Sequence, residues 1–235
     1  IAQCLVGSEM CIRDSCQISN RNMKTRKIRT ALYNVLPGEK AHALMAPRPK
    51  YIEGIEGVHP CPPVNSAILA LIVPFENELA LPLIKRVNRG KYHGGQIAFP
   101  GGKMEKEDAD ALQTALRECH EEIGVPEEKV SILGVLSDIY IPLSNFNITP
   151  IVGTTLQLPD FILSQDEVEK VILVKLRDLF DDRNKTTHSF VRHDHKIIAP
   201  GYKIGENFIW GATAMIIAEL EQLMKTNTFN HLGKL

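Results

Sequence analysis

Apolar positions along the chain fall into two kinds of pattern, short continuous runs and stretches with helical spacing, divided by Pro, Gly and acidic turns. Residues 66–74 (SAILALIVP) form a continuous apolar run of strand length, and the turn at Glu76-Asn77-Glu78 predicts that 79–85 returns beside it. Residues 96–99 predict a short strand, followed by a Pro-Gly-Gly turn and an acidic loop. Leu112, Leu116, Cys119 and Ile123 then recur at helical spacing, the core stripe of an amphipathic helix that Gly124 and Pro126 stop. Farther on, 130–136, 149–156 and 168–174 predict strands, and 177–182 a short helix or turn. Residues 189–197 and 202–209 predict a hairpin around Pro200-Gly201. From Ala212 to Met224 the period is helical again, with Ala214, Ile217, Leu220 and Met224 facing the core. Upstream, 24–36 predicts a short basic helix ended by Pro37-Gly38. The Pro-rich stretch that follows predicts an ordered surface wrap leading into the domain. Strands with a few intervening helices place the chain in the α+β class, a sandwich around a mixed sheet.

Composition narrows this picture. At 235 residues, 44% apolar and net charge −1, the chain has the balance of a soluble globular protein built as one domain. Near-neutrality argues against nucleic acid or a membrane surface as partner, and no apolar run reaches the length of a membrane span. Residues 1–22 show no period, hold three of the five cysteines, and contain LVGSEMCIRDS, which resembles an adapter-derived translation. They are expected to be a non-native leader, a real extension being the alternative. The expected division is then 23–65 as an extension wrapping the domain, 66–225 as the domain itself and 226–235 as a tail. Cys61 and Cys119 are too sparse for a disulfide framework, which fits a reducing cytoplasm.

Chemistry concentrates on the helix before Gly124. Glu118, Glu121 and Glu122 stand at i, i+3 and i+4 and so share a side of the cylinder. Three like charges late in a helix repel one another and oppose the macrodipole. A solvated acidic face is one reading. A hard divalent cation, Mg²⁺ or Mn²⁺, held by carboxylate oxygens with room left for water and phosphate, is the other. The surrounding residues decide between them: Gly101-Gly102 before the helix, Arg117-Glu118 within it and Glu121-Glu122-Ile123-Gly124-Val125 at its end. This resembles the box of the Nudix hydrolases, G-x5-E-x7-R-E-U-x-E-E-x-G-U with U apolar. The right half matches position by position. On the left, Asp108 stands for Glu, and eight residues rather than seven precede Arg117. The resemblance implies the Nudix fold, an α/β/α sandwich with a mixed sheet, and metal-dependent hydrolysis of a diphosphate.

The segment before the box resembles the extra motif of the coenzyme A diphosphatase branch, roughly L-L-T-x-R-(S/A)-x3-R-x3-G-x3-F-P-G-G. Arg86 falls on its first Arg, Lys91 on the second, Gly95 on the isolated Gly, and Phe99-Pro100-Gly101-Gly102 on its end. Lys91 keeps the charge but not the bidentate fork of Arg. Ser144-Asn145-Phe146 and Ile209-Trp210-Gly211-Ala212-Thr213-Ala214 also look like this branch.

The resemblance implies Glu118 and Glu122 as the principal metal ligands, with Glu121 and the Gly102 backbone as further ones. Either a metal-bound hydroxide or a carboxylate, Glu121 or Glu167, would act as base. Arg117 would orient the cluster by pairing with Glu121. Arg86, Arg89, Lys91, His93 and Gly95 would meet the substrate phosphates or shape the loop around them. Asp108 and Asp110 are expected to cap the helix, Phe99 and Trp210 to pack, and His188, His193 and His195 to be solvated rather than to bind metal. The implied reaction is hydrolysis of coenzyme A or its thioesters to 4′-phosphopantetheine and adenosine 3′,5′-bisphosphate by a monomer or homodimer. Another nucleoside diphosphate derivative as substrate, or a nucleotide sensor without turnover, are the alternatives.

Overall fold

Two short helices, α1 (residues 25–32) and α2 (Glu39–Met45), precede the first strand in the computed structural model, which describes residues 25–48, 61–88, 95–192 and 195–229. The elements that follow are β1 (Val64–Phe75), β2 (Glu78–Arg86), β3 (Ile97–Ala98), β4 (Gly101–Lys103), α3 (Ala111–Ile123), β5 (Ser131–Val135), β6 (Ile139–Ile141) and β7 (Phe146–Thr154). Then come β8 (Val168–Lys175), α4 (Leu176–Leu179), β9 (Lys185–Arg192), β10 (His195–Ile204), β11 (Asn207–Trp210) and α5 (Ala212–Phe229).

The architecture turns on β1. Its run is apolar throughout because both of its faces are covered, the situation in which a strand loses its polar alternation. Ala67, Leu69, Leu71 and Val73 pack with Ala115, Leu116, Cys119 and Ile123 of α3, while Ala70 and Ile72 pack on the other face with α5 and α1. Leu69, Leu71 and Ile72 are fully buried, each contributing about 2 kcal/mol of burial free energy. β1 runs parallel to β7 from Val64↔Phe146 to Ile72↔Thr154 and antiparallel to β2 and β4. β2 in turn pairs with β3 and β8, and β7 with β5 and β6. The result is a mixed sheet with helices on both faces, the expected α/β/α sandwich.

Four elements differ from the sequence expectation. The Pro-Gly-Gly segment is not only a turn, because 101–103 form β4 against β1. Gly101 lies so close to β1 that a Cβ there would come within 2.4 Å of the Ala67 carbonyl oxygen. The stretch after Pro37-Gly38 contains α2 rather than wrap alone, and β6 adds a strand where none was expected. The hairpin around Pro200-Gly201 is a misplacement: both residues lie inside β10, which pairs with β9 from His195↔Arg192 to Tyr202↔Lys185. Proline is tolerated there because β11 pairs with β10 only from Gly201 onward, so among the described strands Pro200 has no ladder partner on that side. Gly201 is required by close approach to the Ile209 carbonyl and the Phe208 ring, and the real turn is at Gly205, with φ 58°.

The segment 25–48 belongs to the same core. Ile28, Ala31, Leu32 and Met45 are buried with α5 residues, and Arg48 exchanges backbone hydrogen bonds with Ile198 of β10 at 2.8 and 2.7 Å. Residues 1–22, with the expected leader, lie outside the described residues. No helix among the described residues is long and apolar enough to cross a membrane.

Candidate active site

Helix α3 is fixed at both ends. The Asp110 carboxylate accepts from the Gln113 N–H at 2.9 Å, and the Gln113 side chain accepts in return from the Ala109 N–H at 2.7 Å, a reciprocal cap. At the other end Gly124 takes the left-handed conformation, φ 71°, and donates to His120 O at 2.8 Å. The expected capping role thus falls to Asp110 and not to Asp108.

Asp108 does something else. Buried in the loop before α3, it forms a fork with Arg117, whose Nε and Nη2 donate to its two oxygens at 3.0 and 2.9 Å. It also accepts from the Glu105 N–H and the Thr114 hydroxyl, both at 2.9 Å. The Arg117 hydrogen bonds hold its carboxyl well below the ordinary range, against the opposing effect of burial. Arg117 is itself fully used: Nη1 donates to Glu118 Oε1 at 3.1 Å and to Glu121 Oε2 at 3.0 Å, and Nη2 to Lys103 O at 3.1 Å. The expected Arg117–Glu121 pair is present as one arm of this larger node.

The three glutamates have different surroundings. Glu122 is 1% exposed. Its Oε2 accepts from the Gly101 N–H at 2.9 Å, but its buried Oε1 has no hydrogen-bond donor. Arg86 Nη2 lies 3.0 Å from that oxygen without hydrogen-bond geometry, and donates instead to Gly101 O at 2.8 Å. Burial pushes the Glu122 carboxyl up to about 7, with Arg86 and the Gly101 N–H opposing and Glu118 and Glu167 adding to the rise. Glu118 rests directly on Gly102, where an added Cβ would meet its Oε1 at 2.3 Å. Burial raises its carboxyl as well, with Arg117 opposing and Glu121 and Glu167 reinforcing. The Glu121 side chain is 58% exposed and turned to Arg117.

Glu118, Glu122 and Glu167 share one end of a cavity of about 460 Å³, together with Arg86, Gly101 and Gly102. The rest of its wall is mainly apolar and aromatic, including Ile141, Leu143, Phe146, Ile197, Trp210 and Met215. Glu121 is not part of the lining, which separates it from the other two glutamates. Gly95 is also outside the lining. With φ 73° it forms the turn before β3 and donates to Arg86 O at 3.0 Å. Arg89, Lys91 and His93 lie outside the described residues. His188 is stacked on Phe208 with ring centroids 3.8 Å apart, and Trp210 meets Phe190 edge-on at 4.8 Å. The apolar wall went unread in the sequence, because its residues come from separate segments with no common period.

A divalent cation fits this end of the cavity. The buried Glu122 and half-buried Glu118 carboxyls are both raised by burial, Glu118 adding to the rise at Glu122, and the buried Glu122 Oε1 lacks a hydrogen-bond donor, so positive charge beyond that of Arg86 suits the site. Among the described residues no three His, Cys, Asp or Glu side chains form a ready cage. A metal here would take one or two carboxylates and complete its shell with water and phosphate, which is the habit of Mg²⁺.

Comparison with known proteins decides the family. A family model described as the NUDIX domain matches residues 65–193. The chain belongs to the Nudix family. It is 34% identical over 161 residues to the uncharacterized Nudix hydrolase NudL of Enterobacter sp. (strain 638), covering 67% of this chain and 82% of that protein. With the NudL of Pectobacterium atrosepticum it shares 35% over 158 residues, covering 66% and 80%. Among solved structures, a Nudix hydrolase from Nitrosomonas europaea matches 76% of this chain and 77% of its own, at 20% identity and a TM-score of 0.46. No residue is carried over from it. As a Nudix hydrolase this protein is an enzyme acting on diphosphate bonds, and enzymes of the family use divalent metal ions.

Proposed function

We propose that this Nudix hydrolase cleaves the diphosphate of coenzyme A or its thioesters, giving 4′-phosphopantetheine, free or acylated, and adenosine 3′,5′-bisphosphate. One observation carries the reading: a single cavity joins Arg86 and the carboxylates at one end to a long apolar wall at the other. A diphosphate flanked by a long, weakly polar arm is complementary to both ends. The resemblance of the segment before the box to the coenzyme A-directed motif points the same way.

Glu118 and Glu122, with the Gly102 backbone as a further candidate, would hold the divalent ion, Mg²⁺ or Mn²⁺. When bound, that ion neutralises charge on the diphosphate oxygens. Arg86, at the same end of the cavity, would bind a phosphate oxygen, and Lys91, His93 and Gly95 belong to the same substrate loop by resemblance. Hydrolysis adds water to one phosphorus, breaks its bond to the bridging oxygen and leaves two phosphate monoesters. The proton lost by the water goes to a carboxylate. Glu167 is the better of the two base candidates, because it lines the cavity, whereas Glu121 is held by Arg117 outside it. Arg117 then acts as a positioning residue, steadying Glu118 through Nη1.

Tyr140, Phe146 and Trp210 in the wall favour a second reading, a nucleobase stacked there in another nucleoside diphosphate derivative such as ADP-ribose or a dinucleoside polyphosphate. Turnover of coenzyme A, acetyl-coenzyme A, dephospho-coenzyme A, ADP-ribose and a dinucleoside polyphosphate, with Mg²⁺ and with Mn²⁺, separates the two. Coenzyme A cleaved fastest to adenosine 3′,5′-bisphosphate is the expected result. ADP-ribose cleaved fastest would overturn the coenzyme A reading, and no turnover by a folded, metal-binding protein would indicate a sensor.

A further inference from the structure

Glu219 is a charged residue in the middle of α5 with a fully buried side chain, on the α5/α1 side of the sheet and apart from the carboxylate end of the cavity. Its two oxygens tie two other segments to α5. Oε1 accepts from the Gly38 N–H at 3.1 Å and the Ser137 hydroxyl at 2.6 Å. Oε2 is 2.8 Å from His42 Nε2 and accepts from the Ser137 N–H at 3.2 Å. Burial disfavours the charge, but these hydrogen bonds outweigh it and hold the carboxyl below its ordinary value. A buried carboxylate this well satisfied fixes the groups around it, because losing it would leave several donors unpaired at once.

Both segments pinned by Glu219 lead into the substrate cavity. Gly38 and His42 hold α2, which ends one residue before Ala46-Pro47, and those two residues line the cavity. The far side of that wall is tied down again by the Arg48–Ile198 backbone pair. Ser137 stands just ahead of β6, from which Tyr140 and Ile141 line the cavity opposite. On α5 itself, Met215 lies one turn before Glu219 and also faces the cavity. Of the residues in this node only Ser137 falls within the family-matched span 65–193.

We propose that Glu219 is a positioning residue that sets the apolar half of the substrate cavity, by latching the Ala46-Pro47 wall and the β6 wall to α5. It does not touch the carboxylate end, so its loss acts on binding of the substrate's non-reacting arm and not on the chemical step.

The test uses the full chain. Trp210 is the one tryptophan in the sequence and lines this cavity, so its emission and its quenching by acrylamide report the walls without substrate or metal. In Glu219→Ala, quenching of Trp210 is expected to rise. KM for coenzyme A with Mg²⁺ should increase about tenfold while kcat stays within about threefold. Glu219→Gln, which keeps the shape and one acceptor oxygen, is expected to recover most of both. A folded Glu219→Ala protein with unchanged quenching overturns the proposal whatever its kinetics. So does raised quenching with unchanged KM, or a fall in kcat alone. If Glu219→Ala does not fold, Ser137→Ala and His42→Ala are read in the same way. Raised quenching in either supports the latch, and unchanged quenching in both overturns it. The kinetic arm rests on the coenzyme A reading and the fluorescence arm does not, so raised quenching without coenzyme A turnover sinks that reading and leaves the latch standing.

Discussion

Gly102→Ala isolates the position of one carboxylate from the stability of the fold. A Cβ built on Gly102 lies 2.3 Å from Glu118 Oε1, 2.4 Å from Cδ and 2.5 Å from Oε2, and no other contact is nearer. Gly102 is not among the positive-φ glycines, so alanine is compatible with its backbone, and a Gly→Ala change at such a site stabilises by about 0.4–1 kcal/mol through the unfolded chain. What must give way is the end of a flexible side chain. Glu118 has to retreat by about 1 Å to reach ordinary contact, a displacement that costs up to about 100-fold in rate when it misplaces a working group. The expected phenotype is a folded protein with a melting temperature within a few degrees of wild type, weakened divalent-metal binding, and kcat/KM down by about 100-fold. Steady-state kinetics beside a thermal melt and a Mg²⁺ or Mn²⁺ titration read all three. Gly101→Ala is the control one residue away. Its Cβ would meet backbone, Ala67 O at 2.4 Å and Ile68 Cα at 2.6 Å, at φ 154°. That variant should lose about 2–3 kcal/mol and melt about 5–10 °C lower. A well-folded Gly102→Ala enzyme with wild-type kcat/KM would refute the reasoning, because Glu118 would then work equally well from another position.

Three more outcomes follow from the same site. Glu118→Gln should lower kcat by about 10²–10³-fold without lowering the melting temperature in EDTA, since a neutral amide lacks the half-buried charge; undiminished turnover would remove Glu118 from the mechanism. Asp108→Ala should cost about 2–4 kcal/mol in urea unfolding, because it strips the fork from Arg117 in a mostly buried pair. The Asp108 carboxyl is depressed, so its contribution is present above pH 3.8 and lost as pH falls toward the lower folded value. The variant should therefore flatten the acid limb of the stability curve, and an unaltered limb would count against the pair. Metal removal has the opposite sign at Glu122. Its folded pKa is raised from 4.5 to about 7, so the metal-free fold is favoured below 4.5 and loses up to about 3 kcal/mol as pH rises through 7. Unfolding in EDTA should show that loss, saturating Mg²⁺ should abolish it, and a flat profile in EDTA would contradict it.

The sequence made some of this legible because the signals were periodic. The stripe of Leu112, Leu116, Cys119 and Ile123 placed α3 within a residue or two and implied which face was left for the glutamates. The long apolar run of β1 declared a strand covered on both sides. Where two residues carried the same local signal, sequence could not choose between them. Asp108 and Asp110 both stand before a helix, and only the extended backbone of Asp110, φ −159° and ψ 179°, makes it the cap. Asp108 is claimed by Arg117, nine residues away and across the loop, a pairing that propensity does not encode. Pro200-Gly201 carried a strong turn signal that tertiary context overrode, because β11 is short and the Gly201 site is crowded by Phe208 and Ile209. The apolar end of the cavity was invisible for a related reason. Ala46, Tyr140, Ile197 and Trp210 meet only because α2, β6, β10 and β11 converge there.

The spacing of the glutamates also explains why three of them need not be three ligands. At about 100° per residue, Glu118 and Glu122 project from nearly the same side of α3, toward Gly102 and Gly101 respectively, and both reach the cavity. Glu121, one residue before Glu122, is carried round the cylinder to where the Arg117 guanidinium waits. Arg117 therefore draws one glutamate out and steadies another, while Asp108 fixes Arg117 itself from the loop. The negative charge that looked excessive along one helix is thus divided. Part is neutralised on the outside by an arginine locked in place by a buried aspartate. The rest, on Glu118 and Glu122, is left facing the cavity, raised by burial and in need of a cation. Between Asp108 and Arg117 only Ala109 and Asp110 lie outside α3, so a change of length there can be taken up before the helix begins. An insertion within 117–122 would rotate the glutamates away from their glycines and should not be tolerated.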